Sequence, residues 1–485
     1  MLKPTDYIDR FKKETNNSNF IVYREKYIKK RKIYIIFNDT LISNDKISDF
    51  IIRSIDRINE KDPLAWIKNS LASCKYQEVK TYDDFAKYIN NGFTVILLDD
   101  ENVGLAFETK GNLNRSIAQP TTENAIRGAK DALVEDYQTN IGLIKKRIRS
   151  NDFWVDELEK GKYTRTKIGL CYVNTIVKKD LIKKIEEKID TLDIDGIITS
   201  DDLKKHLEKG IKSILPTITT TERPDRIAKA LLRGKVVIIV DNSEFALIVP
   251  GLFVDFFKAP EDWYGNSINV SITRIVKYAA FFISILTPAI YVALITYNQE
   301  IIPTDLLISF SVQRDGVPFP AFIEAFMMII AFEIIKESEY RVPNSSGSAL
   351  SIVGALILGD AAVAAGIVSP IMIIVVAVTA ISSLPFAEPE FTTSIRTYRL
   401  IFMVGASFLG IMGIVAIFIF FIIRATSIET FGIPFFSPIE PFDKNGFKNT
   451  FLKLPNENKR MKVLSDNRYR GELWKKYFWF WLFYF

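Results

Sequence analysis

The sequence predicts an α/β soluble region made of two related subdomains, followed by an all-α polytopic membrane domain. Two observations carry that prediction. Charged residues make up 25% of the 485, yet they are dense up to about Arg274 and thin sharply from Tyr278 to Ile423. A soluble region averaged with a hydrocarbon-embedded one gives this composition. The second observation is a pattern of apolar runs that occurs twice within the charged half.

The first run, Lys32 to Ile47 (KIYIIFNDTLISNDKI), aligns without a gap on Lys167 to Ile182 (KIGLCYVNTIVKKDLI). Each opens with an apolar run suited to a buried strand and closes in a helical pattern such as Ile182, Ile185, Ile189. A second pair follows: Gly92 to Phe107 (GFTVILLDDENVGLAF) resembles Gly234 to Val249 (GKVVIIVDNSEFALIV). Both are two apolar runs around a polar turn, which is a hairpin signal. The order strand, helix, hairpin therefore recurs, with subdomain one assigned to residues 1–115 and subdomain two to 160–267. Residues 116–159 are expected to connect them through a long amphipathic helix over Glu123 to Arg149. The cations at its end, Lys145, Lys146, Arg147 and Arg149, suit a helix C-terminus or a lipid headgroup.

The same residues exclude several classes. Met1 to Arg10 has no apolar core, so no signal peptide is expected and the N-terminal region is placed in the cytoplasm. Cys74 and Cys171 stand far apart, and His206 is the single histidine, which argues against a disulfide framework or a Cys/His metal site. Acidic residues at Asp99 to Glu101 and at Asp190, Asp193 and Asp195 suit a turn and a helix end. There is no Walker A sequence, GxGxxG after a strand, HExxH or GxSxG. No catalytic residue, cofactor or metal is assigned. The net charge of +6 comes without a basic stripe interleaved with aromatics, so nucleic acid is not an expected partner; cations beside a membrane orient helices and face lipid.

The membrane domain is assigned to 268–426 and a basic C-terminal tail to 427–485. Tyr278 to Tyr297, Ser348 to Val368, Ser369 to Phe386 and Leu400 to Ile423 read as spans. Val317 to Ile335 is apolar but carries Glu324 and Glu333, which suits a span, a re-entrant helix or an interfacial one. Arg274 and Lys277 place the first span N-in, and the tail, with ten Lys/Arg against six acids, also favours the inside. An even number of crossings follows, read as four spans plus one re-entrant or interfacial segment. Small residues from Gly354 to Gly366, and Ala406 with Gly410, allow helices to approach closely. Asp360 lies in mid-segment, where an ionisable group is costly unless it faces water or a partner. Asp360, Glu324, Glu333 and Arg314 are the candidate ion-pathway or gating residues.

Several blocks resemble one family. TERPDR over 221–226, LLRGK over 231–235 with Asp241, PEDWY over 260–264, PTDLL over 303–307 and RDGVPFP over 314–320 occur in order. SIVGAL over 351–356, SPIM over 369–372 and Thr379 to Ile381 follow, and upstream Pro120 to Glu123, Arg127–Gly128, Thr139–Asn140 and Lys146–Arg147 also fit. Together they resemble the A-subunit family of bacterial spore germinant receptors. Departures are Gly128 to Asp131 in place of a Gly-Pro-Arg-Glu-like stretch, Asn242 where a Gly is common, and the aromatic end Phe478 to Phe485. The resemblance implies a non-enzymatic subunit of a nutrient-sensing receptor in the inner membrane of a spore. It implies a transporter-like B subunit and a lipoprotein C subunit as partners, and self-association to form or gate an ion pathway that triggers germination. Arg223, Pro224, Asp225 and Arg226 are expected to hold the start of a helix, or to form a subunit interface, with Arg223 and Arg226 meeting a neighbouring subunit or the membrane-proximal acids. A stand-alone secondary transporter and a membrane-anchored enzyme are the competing classes. An internal repeat in the membrane half would favour the first, and a nucleophile with its base the second.

Overall fold

A computed structural model describes residues 4–28, 31–55, 66–68, 76–99, 101, 103–111, 120–123, 128–339, 347–386, 388–453 and 464. Cys74, Arg127 and the aromatic end Phe478 to Phe485 lie outside the described residues.

The first half holds two five-stranded sheets of the same design. In sheet one, β1 (Ile21–Ile28), β2 (Arg31–Asn38), β3 (Tyr76–Val79), β4 (Phe93–Leu98) and β5 (Gly104–Glu108) lie in the order β1-β2-β4-β5-β3. In sheet two, β6 (Phe153–Lys160), β7 (Thr166–Val173), β8 (Thr219–Thr221), β9 (Val236–Val240) and β10 (Ala246–Val249) lie in the order β6-β7-β9-β10-β8. Every one of these pairings is antiparallel, and both apolar hairpins predicted from sequence, β4–β5 and β9–β10, are present.

Side chains alternate between the faces of a strand, so each sheet feeds two cores. In sheet one, Ile33, Ile35, Ile96 and Leu105 face a helical stretch over 44–55. Tyr34, Ile36, Val95 and Ala106 face helices α1 (Pro4–Glu14) and α2 (Tyr82–Asn90). In sheet two, Ile168, Leu170, Ile238 and Leu247 are buried with Ile185 and Leu203, from α4 (Lys179–Asp190) and α5 (Ser200–Glu208). Cys171, Val237, Ile239 and Ile248 pack against α3 (Tyr137–Lys145) and α6 (Pro224–Leu232) on the other face.

Among the described residues of the stretch Glu123 to Arg149, expected to form a long connecting helix, only the nine residues of α3 are helical. Its approach is held extended by side chains that compete with helical bonding. Asn140 both accepts from Val134 N and donates to Val134 O, and Leu133 N donates to Glu222 O. Three of the four cations at its end have partners in the α/β region. Lys145 is buried over the Phe20 ring, Arg147 pairs with Asp131 at 2.6 Å, and Arg149 donates to Asn91.

The second half is helical: α7 (Ser267–Thr296), α8 (Thr304–Arg314), α9 (Ala321–Glu339), α10 (Gly347–Ala364), α11 (Pro370–Ile381) and α12 (Pro389–Thr426). Two of them, α7 and α12, are long and apolar enough to cross a membrane. Yet α12 is not straight. Gly410 has φ +59° and ψ −137°, outside the helical region, and Tyr398 and Phe421 meet edge-on with ring centres 4.8 Å apart. Twenty-three residues of straight helix would separate them by about 35 Å. The stretch Leu400 to Ile423, expected to be a single span, is instead a helical hairpin with its turn at Gly410. A side chain there would collide with Asn298 and Tyr297, at the end of α7, so the tip needs glycine twice over, for its backbone angles and for space.

The described part of the C-terminal region is not a loose tail. After α12 a small ribbon, β11 (Glu429–Thr430) with β12 (Ile433–Pro434), leads to α13 (Lys444–Phe451). Phe435 O accepts from Phe253 N, Phe436 stacks on Phe253, and Lys453 donates to the carbonyls of Asp262, Trp263 and Gly265. Leu464 is buried in the core of sheet two.

Candidate functional site at the soluble–membrane junction

The turn at Thr221 to Arg226 sits between β8 and α6. Pro224 occupies the first turn of α6, where its missing N–H costs nothing. Arg223 precedes it and is buried. Its guanidinium donates twice to Asp225 (3.1 and 2.9 Å), and to the carbonyls of Glu123 and Ala129 (3.0 Å each). Tyr264, just ahead of α7, donates to the same Asp225 carboxylate at 2.8 Å. Burial would raise Asp225; the hydrogen bonds from Arg223 and Tyr264 outweigh it and hold the carboxyl below its ordinary value. Glu222 accepts from Thr122 N (2.6 Å) and Glu123 N (3.0 Å). One turn thus ties the inter-sheet linker, α6 and the entrance to α7 together.

Arg226 extends this network to the helices. It pairs with Glu123 and, at 3.2 Å, with Glu388, which immediately precedes α12. Burial pushes Glu388 up to about 7, against the attraction of Arg226 and Lys204. Lys204 of α5 pairs with Glu390, and Arg274 of α7 pairs with Asp262 at 2.8 Å. An aromatic cluster fills the space between: Phe256 stacks on Phe391 at 4.7 Å and Phe257 on Tyr278 at 4.0 Å.

Two further polar groups lie among the helices. Glu324 of α9 is fully buried. One of its oxygens accepts from Ser369 N (2.6 Å) and Oγ (2.5 Å), capping α11, and the other lies 3.8 Å from Arg314 Nε. Glu333, two to three turns further along α9, lies 2.9 Å from Arg396 and 3.5 Å from Arg399. Arg399 also donates to Ser284 O and Oγ of α7, both at 2.9 Å, so three helices meet on one guanidinium. Asp360 is separate from both groups: it is exposed on α10, beside the buried Gly359.

Sequence reasoning named Arg223 to Arg226, Glu324, Glu333, Arg314 and Asp360, and the structure brings Arg314 to Glu324. It missed Glu123, Ser284, Glu388, Arg396 and Arg399. Arg396 and Arg399, one turn apart at the head of an uncharged run, were the available signal. Among the described residues no group of three or more His, Cys, Asp or Glu could hold a metal.

The fold and junction define a membrane-associated protein whose duplicated α/β region is joined to its apolar helices by buried ion pairs and aromatic stacking. Comparison with known sequences identifies which one. Residues 9–463 match the profile of the Bacillus/Clostridium GerA spore germination proteins, and the chain belongs to that family, the A subunits of spore germinant receptors. It is similar to spore germination protein KA of Bacillus subtilis, 37% identical over 462 residues covering 92% of this chain and 83% of that one. It is also similar to spore germination protein GerLA of Bacillus cereus, 32% identical over 425 residues covering 87% and 86%. Among solved structures it resembles the crystal structure of the N-terminal domain of the A subunit of the Bacillus megaterium spore germinant receptor GerK3. That match has 24% identity and a TM-score of 0.41, and covers 52% of this chain and 96% of that one.

Proposed function

We propose that this chain senses nutrients as part of a spore germinant receptor, and that copies of it associate to form or gate an ion pathway. In this reading it sits in the inner membrane of the spore with its N-terminal region cytoplasmic, beside a transporter-like B subunit and a C lipoprotein. The observation that carries the reading, beyond family membership, is Asp360. An exposed carboxylate on an otherwise apolar helix is costly in hydrocarbon, and a second copy or a hydrated lumen would relieve that cost. Gly354, on the same helix, leaves room for close approach: a Cβ there would meet no described atom within 4 Å. Several such carboxylates around one axis would attract cations. Glu324 with Arg314, and Glu333 with Arg399, are the pairs whose rearrangement would gate such a path.

The test is Asp360→Asn and Asp360→Ala in spores, with potassium release after nutrient addition measured beside the amount of protein in the membrane. Release should fall while the protein level holds. Normal release with either substitution would remove Asp360 from the pathway.

A further inference from the structure

Where α6 ends, a small cleft opens toward the turn Pro260–Trp263. Five cations line it, Arg226, Lys229, Arg233, Lys235 and Lys258, against one carboxylate, Asp255. That carboxylate is shared by two ammonium groups, Lys235 at 2.5 Å and Lys258 at 3.2 Å. Arg226 is neutralised elsewhere, by Glu123 and Glu388. Lys229 is fixed with its ammonium 3.8 Å from the centre of the Trp263 ring, and Arg233 stands half-buried. The lining therefore carries more positive charge than its own acids balance. The carbonyl end of α6, which would repel an anion, is covered by the backbone N–H groups of Arg233 and Lys235. The cavity volume is about 40 Å³; at roughly 10–15 Å³ per water, that suits a single tetrahedral oxyanion.

The height of the cleft points to the source of the anion. Phe257, next to Lys258, stacks on Tyr278, where the uncharged part of α7 begins. Asp262, next to Trp263, pairs with Arg274 one turn below that point. Cations and a tryptophan at this level sit where lipid headgroups lie. We propose that the cleft binds one phosphate-type oxyanion, supplied by the headgroup of an anionic phospholipid, at the foot of α7. Burial pushes Lys258 down to about 8, with Arg233 and Arg274 repelling it and Asp255 opposing. A bound phosphate would relieve that repulsion.

The experiment follows the thermal unfolding midpoint of the full chain in a neutral detergent, titrated with short-chain phosphatidylglycerol, short-chain phosphatidylcholine, or sodium phosphate against sodium chloride of equal ionic strength. A ligand that binds the folded state raises the midpoint saturably. Phosphatidylglycerol should do so and phosphatidylcholine should not. Arg233→Gln and Lys258→Gln should each weaken the response about ten-fold, the loss expected for one charge-assisted hydrogen bond. Arg233 is the cleaner site, because its side chain is half exposed. If sodium phosphate alone matches the lipid and Arg233→Gln weakens it equally, the oxyanion site stands and free phosphate is its source. Equal responses to the two lipids, no saturable shift, or variants that respond like the parent protein would overturn the proposal.

Discussion

The two sheets share one strand order, yet the same position in each does different work. In sheet one, β3 leads to α2 through Thr81, whose hydroxyl accepts from Asp84 N while Asp84 bonds back to Thr81 N. This capping box is exposed and local. In sheet two, β8 leads to α6 through Arg223, buried and bonded to groups up to 100 residues away. The scaffold tolerates either solution, because strand pairing and the apolar faces are already complete without the turn. What differs is the neighbour: solvent beside sheet one, the linker and the entrance to the helices beside sheet two. A duplicated fold has here kept its cores and turned one capping turn into a joint.

Breaking the joint should have the largest effect. Arg223→Ala removes the charged partner of Asp225, which keeps only Tyr264 and Arg226 N as donors, and leaves two carbonyls without theirs; it should cost about 3–5 kcal/mol, as removal of one partner from a buried pair does. Thermal unfolding of the full chain in detergent, with limited proteolysis at the 120–133 linker, reads it out. A change as small as that of a surface substitution would mean that the turn bears no structural weight.

The contact between the two sheets offers the next test. Lys145 is buried over Phe20, and burial pushes it down to about 7. Its folded value lies below that of the unfolded chain, so between about pH 7 and 10 the unfolded state holds the extra proton and stability rises with pH. Lys145→Met should flatten that slope and add roughly 1–3 kcal/mol at pH 7. An unchanged slope would show that Lys145 keeps its charge hydrated.

Glu388 has the opposite sign. Its folded value, about 7, lies above that of an ordinary carboxyl, so the folded state holds the extra proton. The junction should be firmest near pH 5, loosen as pH rises toward 7, and change little above it. Glu388→Gln should abolish this dependence, worth roughly 2–3 kcal/mol at about 1.4 kcal/mol per pH unit, in proteolysis rates followed from pH 5 to 8. The smallest effect belongs to the other copy: Thr81→Ala should cost about 1 kcal/mol and leave proteolysis of the linker unchanged. If it matched Arg223→Ala, the contrast between the copies would collapse.

The central strands and hairpins were legible because VVIIV or FTVILL bounded by turn residues has few other solutions. The edge strands were not. β1 (IVYREKYI) and β6 (FWVDELEK) carry charge along a half-solvated surface and look like loop or helix by composition. The polar contacts among the helices were legible only in part: Glu324, its ion-pair partner Arg314, and Glu333 stood out against apolar surroundings, but nothing local names Ser369, 45 residues from Glu324, or Arg399, 66 residues from Glu333. The hairpin in α12 was hidden for a different reason. Hydropathy scores the absence of charge, and Gly410 adds none, so a chain that reverses direction scores like one that continues.

That reversal has a mechanical consequence. Both arms of α12 are anchored at their bases to one short segment of the soluble region, Ser394 Oγ to Ile214 O at 2.6 Å and Arg424 Nη2 to Lys212 O at 2.8 Å. Their shared tip bears on the end of α7, where Ile411 N donates to Asn298 Oδ1 at 3.1 Å and Tyr297 donates to Ser407 O at 3.0 Å. The first arm is about 30 Å long at 1.5 Å per residue. The element is a two-pronged lever held by its handle, stiff along its length because every turn is internally bonded. A rotation of the 212–214 segment would therefore move both arms together and reach the end of α7 through Asn298 and Tyr297.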